Sequence, residues 1–146
     1  MLFRSIKFEK GIPVAVNGKS MNPIKLIFIA YPNNPTGNAF ARESILAIIK
    51  ESEALVVVDE AYYAYSEDSF LNEVANYPNL VLLRTISKIG FAGLRLGLLI
   101  GSQDTIRELD KLRLPYNINI LTQASANFLL KEKMFEKYND TPAAIC

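Results

Sequence analysis

Apolar residues recur along this chain in short blocks separated by turn-forming residues, and the blocks alternate between two periods. Lys25 to Ala30 (KLIFIA), Leu55 to Asp59 (LVVVD) and Leu80 to Arg84 (LVLLR) are apolar runs of strand length bounded by turn-forming residues. Runs of this kind predict buried strands. Between the first two, Ile45, Leu46, Ile48 and Ile49 repeat at helical spacing with Arg42, Lys50 and Glu51 off the stripe. That pattern predicts a helix from about Ala41 to Ser52. A second helix is expected around Phe70–Asn76, ended by Tyr77-Pro78-Asn79. Strand–helix–strand–helix–strand is the signature of βαβ units in a parallel sheet.

After Lys88 the spacing changes. Leu94 to Ile100 predicts a fourth strand, reached through a Gly-containing loop too short for a crossover helix. This strand therefore pairs antiparallel or inserts elsewhere at the edge. Ser102 or Asp104 caps a helix to about Leu112, with Ile106, Leu109 and Leu112 on one face. Leu114-Pro115-Tyr116-Asn117 breaks it, and Thr122 is expected to cap a last helix through Ala126, Leu129 and Leu130. Residues 1–23 are broken by Gly11-Ile12-Pro13 and Asn17-Gly18 and read as a short hairpin or a loosely held arm.

Composition narrows the chemistry. With 146 residues, half of them hydrophobic and 21% charged, the chain is long enough for one domain and apolar enough to form a core. A net charge of +1 offers nucleic acid or anionic lipid no broad attraction. There is no His and a single Cys, which excludes a disulfide framework, a Cys/His zinc cluster and a His base. The lone thiol, Cys146, is the last residue, where a positioned nucleophile is hard to build. Glu, Asp, Lys, Tyr and Ser must carry any acid–base or covalent step. The apolar runs, such as Leu96 to Ile100, fall far short of the ~20 residues a membrane helix needs. The opening MLFRSIKFEK has no apolar signal region, so a cytoplasmic location is expected.

Ligands of parallel α/β sheets bind beyond the carboxyl ends of the strands. Three such ends here carry unusual residues: Asn34-Pro35-Thr36-Gly37, Asp59-Glu60-Ala61-Tyr62 and Thr85-Ile86-Ser87-Lys88, with Arg95 following. Neighbouring strands lie about 4.8 Å apart, so an Asn, an Asp, a Tyr and a Lys can surround one small ring. Each has a bland alternative. Asn-Pro-Thr-Gly is a good turn, an Asp at a strand end often caps one, and a Lys after a strand is usually solvated. Arg95 could be an ion-pair partner, and Tyr62, Tyr63 and Tyr65 could be packing.

Taken together, Asn34-Pro-Thr-Gly, Asp59-x-Ala-Tyr62 and Ser87-Lys88-x-x-x-x-Gly93-Leu94-Arg95-x-Gly97 resemble the class I/II aminotransferases, pyridoxal-phosphate enzymes of the aspartate aminotransferase fold. Asn34 and Asp59 are 25 positions apart, and Asp59 and Lys88 are 29 apart. Within that family DEAYY, SFLNEVANYPNLVLLRTISK, GFAGLRLG and LPYNIN look most like the histidinol-phosphate aminotransferase branch. The resemblance runs from about Lys25 to about Lys131. It implies an α/β fold: the central part of the large domain of a fold type I transferase, with a mostly parallel sheet, one antiparallel strand and helices on both faces. Residues 1–23 would be a poorly matched arm and 24–146 a partial cofactor-binding large domain.

The same resemblance implies roles. Lys88 would form a Schiff base with pyridoxal 5'-phosphate and then serve as acid–base. Asp59 would pair with the pyridine nitrogen. Tyr62 and Asn34 would hydrogen-bond the ring oxygen, and Ala61 would lie against a ring face. Thr85, Ser87 and Arg95 would hold the phosphate, with Arg95 as the bidentate partner. Arg95 follows Lys88 by seven positions, one fewer than in many relatives, a deletion that Gly90 and Gly93 can absorb.

The implied reaction moves an amino group between histidinol phosphate and 2-oxoglutarate in histidine biosynthesis, in a homodimer with Pro115–Asn119 near the subunit contact. Alternatives are another enzyme of the same fold, such as threonine-phosphate decarboxylase or an aromatic aminotransferase, or a non-catalytic module acting by association. Catalytic subunits of the family are over twice this length. The N-terminal phosphate-binding amides, the aromatic that stacks on the ring and the C-terminal substrate Arg have no counterpart here. The expectation is therefore a truncated or split enzyme with exposed apolar faces, weak cofactor binding and no measurable turnover alone.

Overall fold

The computed structural model describes the backbone of residues 6–9 and 12–15, and residues 24–66 and 68–132 in full. Cys146 and most of the 1–23 segment lie outside the described residues. Strands β1 (Ile6–Glu9) and β2 (Ile12–Ala15) pair antiparallel, which is the hairpin form of the two readings of that segment.

The main sheet has four strands in the order β3 (Leu26–Ala30), β4 (Leu55–Asp59), β5 (Leu80–Thr85) and β6 (Gly97–Gly101). β3, β4 and β5 run parallel, with Ala30, Asp59 and Leu83 level with one another. β6 returns antiparallel and sets Gly97 opposite Thr85. All three parallel strands thus end at one edge, and the turns that follow them converge there.

Alternation along the strands builds two faces. One carries Ile27, Val56, Val58, Leu80 and Leu82, which pack with Ile45 and Ile49 of α1 (Arg42–Glu51) and with Phe70. Val56, Val58, Leu80 and Leu82 are wholly buried, each contributing about 1.5–3 kcal/mol relative to exposure. The other face carries Phe28, Val57, Val81 and Gly101. There Ile106 of α2 (Gln103–Asp110) comes within 3.5 Å of where a Cβ on Gly101 would sit, and Val81 within 3.1 Å, so a side chain at Gly101 would push both away. Helices therefore meet both faces. Phe28 on β3 stays 64% exposed, and so do Ile120, Leu121, Phe128 and Leu130 of α3 (Ile120–Lys131) to a similar degree.

Three elements differ from the sequence expectation. Phe70–Asn76 is a single tight turn at Leu71–Glu73, not a helix. Its amides reach back three residues, Glu73 N–H to Phe70 O at 2.9 Å and Val74 N–H to Leu71 O at 3.4 Å, and Tyr77-Pro78 follows too soon for a four-residue ladder to build. β6 begins at Gly97 because Ala92–Leu94 form a tight turn and Arg95 adopts a left-handed backbone, φ 51°. α3 is capped by Asn119, whose Oδ1 accepts the Thr122 N–H at 2.9 Å. Thr122 Oγ1 instead donates to Leu94 O at 2.9 Å and ties α3 to the turn before β6. Ser102 caps α2, one of the two residues expected there.

Candidate active site

Each of the three parallel strands hands its chain to a shaped turn. After β3, Tyr31 N–H bonds Asp59 O at 2.8 Å, extending the β3–β4 ladder by one residue. The chain then doubles back, with Gly37 N–H on Asn33 O and Asn33 N–H on Asn38 O, each 2.8 Å. Gly37 has φ +71°, a conformation glycine adopts without Cβ strain. Asn33 donates to Thr36 Oγ1 and Thr36 to Asn38, so the loop is closed by its own side chains and presents Asn34 outward.

After β4, Asp59 Oδ1 accepts the Ala61 N–H at 2.9 Å, and Tyr63 N–H bonds Glu60 O. This turn aims Tyr62 back toward β3, where Asn34 Nδ2 donates to the Tyr62 hydroxyl at 3.0 Å. After β5, Thr85 Oγ1 accepts the Ser87 N–H at 3.1 Å and donates to Leu96 O at 3.2 Å. The Ser87–Phe91 segment is wound but broken at Ile89–Gly90, where Gly90 takes φ +97°. It places Lys88 Nζ 5.1 Å from the centre of the Tyr62 ring. Tyr65 completes the bracket: its hydroxyl donates to Lys88 O at 2.9 Å, and its ring lies 6.2 Å from that of Tyr62.

The structure thus brings Asn34 and Lys88 each against Tyr62, and Asp59, Ala61, Thr85 and Ser87 into the turns that carry them. Among the described residues Lys88 has no carboxylate partner, and Asp59 Oδ2 takes no hydrogen bond. Arg95 is exposed, on a left-handed backbone with φ 51°. Beside Asn34 and Tyr62 opens a cleft of about 290 Å³, lined by Pro32, Asn33, Pro35, Tyr65 and Ser66 among others. The phenol–amide pair of Tyr62 and Asn34 lines this opening, and Lys88 lies against the Tyr62 ring beside it.

Two supporting clusters were not legible as such in the sequence. Glu60, wholly buried, accepts hydrogen bonds from Arg84, Ser69 and Phe70 N–H. Arg42 bridges Asp68 at 2.7 Å and Glu73 at 3.0 Å and lies 4.5 Å over the Phe70 ring. Tyr31, three residues before Asn34, donates its hydroxyl to Asp68 at 2.8 Å and meets Phe70 edge-on. Burial, then the bond to Asp68, pushes the Tyr31 phenol up to about 12. Burial acts to raise Asp68, but the bonds from Tyr31 and Arg42 outweigh it and hold its carboxyl below the usual range. Opposite charges at Glu60 and Arg84 could have signalled the first cluster, but only once the register of β4 on β5 was known.

Comparison with known proteins follows the same lines. The family model described as aminotransferase class I and II matches residues 10–144. A histidinol-phosphate aminotransferase of Vesicomyosocius okutanii is 75% identical over 115 residues, covering 79% of this chain and 32% of that protein. The crystal structure of the histidinol-phosphate aminotransferase from Clostridium acetobutylicum superposes with a TM-score of 0.69 at 27% identity, covering 80% of this chain and 36% of that one. That from Sinorhizobium meliloti, solved in complex with pyridoxal-5'-phosphate, has a TM-score of 0.65 at 26% identity, covering 78% and 33%. The chain spans about a third of the length of the relatives it matches.

Proposed function

The chain belongs to the class I and II aminotransferases, and from that premise we propose that its strand ends form the Lys88-bearing part of a histidinol-phosphate aminotransferase site. The donor is histidinol phosphate, the acceptor 2-oxoglutarate, and the setting histidine biosynthesis. The observation that carries this reading is the convergence of Asn34, Tyr62 and Lys88 from three different strand ends.

The side chains fit pyridoxal 5'-phosphate by the chemistry of their donors. Lys88 Nζ is a primary amine without an ion-pair partner among the described residues, as an amine that holds the cofactor's aldehyde carbon must be. Asp59 has one oxygen committed to its own turn and one left to keep the pyridine nitrogen protonated. The Tyr62 hydroxyl accepts from Asn34 and so keeps its proton to donate to the ring oxygen. Ala61, small and half-buried, leaves room for a flat ring. Ser87 and the exposed Arg95 bind the phosphate; the Thr85 hydroxyl proton is occupied by Leu96 O, so Thr85 acts by fixing the Ser87 amide.

When bound, the cofactor supplies a protonated ring that takes up the electron pair left as a proton leaves the donor carbon. The chain's part is proton handling and orientation. Lys88 Nζ would accept that proton from the donor carbon and deliver it back to the substrate. The Tyr65 bond to Lys88 O holds the backbone under Nζ while the long side chain moves. The same reading assigns the exposed 115–119 loop, with Tyr116 95% exposed, to a homodimer contact.

The test is a spectral titration of the chain with pyridoxal phosphate. The reading expects a visible absorbance band at high cofactor concentration that borohydride fixes at Lys88 and that Lys88→Ala abolishes. A folded chain that develops no band, or a band that survives Lys88→Ala, refutes it.

A further inference from the structure

Three site residues have sequence neighbours that meet one another. Asp59 is followed by Glu60, Tyr62 by Tyr63, and Thr85 is preceded by Arg84. Glu60 accepts Arg84 Nε at 2.9 Å and Nη2 at 2.8 Å, Phe70 N–H at 2.6 Å, and Ser69 Oγ at 3.0 Å from each carboxylate oxygen. Arg84 Nη2 also donates to Ser69 Oγ at 2.6 Å, and its guanidinium lies 4.2 Å over the Tyr63 ring. Phe70 in turn packs on Tyr31, which leads into the Asn34 loop. The β4–β5 ladder continues through Glu60 N–H to Leu83 O at 2.8 Å, so the pair closes the sheet at the edge where the site stands.

We propose that Glu60 and Arg84 are a positioning pair for the Lys88 site, fixing the Asp59–Tyr62 turn against the Thr85–Lys88 segment. Neither touches the opening itself. A buried ion pair adds little net stability over an apolar pair of similar volume, because both charges lose their hydration. What it adds is geometry. The carboxylate of Glu60 is wholly buried and is satisfied by donors from two separate segments, Ser69-Phe70 and β5, so a shift of either breaks several bonds together. Lys88 sits four residues past Arg84 and Tyr62 two past Glu60, so little backbone freedom intervenes. The functional part of the proposal rests on the Lys88 reading above; the geometric part does not.

Glu60→Gln removes the charge and keeps the shape, and Arg84→Lys keeps the charge but loses the forked contact. Two quantities are measured on the 146-residue chain. The first is amide hydrogen exchange in peptides covering 59–65 and 84–91, against α1 as reference. The second is the share of borohydride-fixed pyridoxal phosphate label that falls on Lys88 rather than on Lys25, Lys50 and Lys111. The proposal expects exchange at both site segments to rise by about tenfold or more with α1 unchanged, and the Lys88 share to fall several-fold, with Arg84→Lys intermediate. Equal acceleration in α1, or site segments that do not change, overturns it, as does unfolding of both variants, which would make the pair a stability element. A wild-type chain that labels Lys88 no more than other lysines sinks the functional reading, while the exchange measurement still decides the geometric claim.

Discussion

Replacing Tyr31 by Phe removes one hydroxyl from a buried cluster and leaves the ring, its edge-on contact with Phe70 and the sheet hydrogen bond of its amide in place. The lost bond runs to Asp68, a carboxylate that keeps Arg42 and the Ser69 N–H as partners. A hydrogen bond to a charged group contributes about 1.5–3 kcal/mol, and the partners remaining to Asp68 reduce the expected loss to about 1–2 kcal/mol near pH 8. The pH dependence is the sharper part. In the folded chain the phenol is pushed up to about 12, whereas in the unfolded chain it titrates near about 10. Between these values the folded state binds the extra proton, so stability falls as pH rises, at about 1.4 kcal/mol per unit. The contribution is fully present below about pH 10 and is lost as pH climbs through about 12. Phe has no such limb, so the advantage of the wild type over Tyr31→Phe shrinks to about zero near pH 11. Urea unfolding of both proteins at pH 8, 10 and 11, followed by far-ultraviolet circular dichroism, gives the difference directly. A difference that stays constant across that range would refute the reasoning, because Tyr31 would then titrate alike in both states.

Other consequences follow from the same contacts. Asn34→Ala and Tyr62→Phe, combined in a double-mutant cycle on pyridoxal phosphate affinity, are expected to couple by about 0.5–3 kcal/mol, and strict additivity would contradict the 3.0 Å bond between them. Ser102→Ala removes the cap of α2, whose Oγ accepts the Thr105 N–H, and is expected to lower stability by about 1 kcal/mol in urea unfolding. Asn79→Ala strands the carbonyls of Ile49, Ser52 and Ala54, which one amide group now serves, and is expected to cost about 1–3 kcal/mol. Acid unfolding should begin as pH falls through the lowered range of Asp68, whose stabilising contribution is present above the unfolded carboxylate pKa of about 3.9, and Asp68→Asn should flatten that limb.

The strands were legible because β4 and β5 are runs of branched and aliphatic residues, and a chain buried on both faces has to be written that way. The antiparallel return of β6 is one of the two readings that its short connection allowed. The turn at Leu71–Glu73 was not legible, because Phe70, Leu71 and Val74 have helical spacing while the amides there bond three residues back rather than four. Asn119 lost the cap of α3 to Thr122 in the sequence reading for a similar reason: Thr122 is a good cap by type, but its hydroxyl is spent on Leu94 O. At the site, the motif residues stood out by chemistry. Glu60 and Arg84 did not, since a charge beside a strand usually meets solvent and only the register shows that these two meet each other. Arg95, expected to hold the phosphate, is exposed on a left-handed backbone with φ 51°.

The central claim is that Lys88, among the lysines of this chain, is the amine prepared to hold pyridoxal phosphate. Borohydride reduction of the chain with a stoichiometric amount of the cofactor, followed by peptide mass mapping, tests it most directly. The account predicts label concentrated on the peptide carrying Lys88, and lost from it in Tyr62→Ala. Label spread evenly over Lys25, Lys50, Lys88 and Lys111 would contradict it.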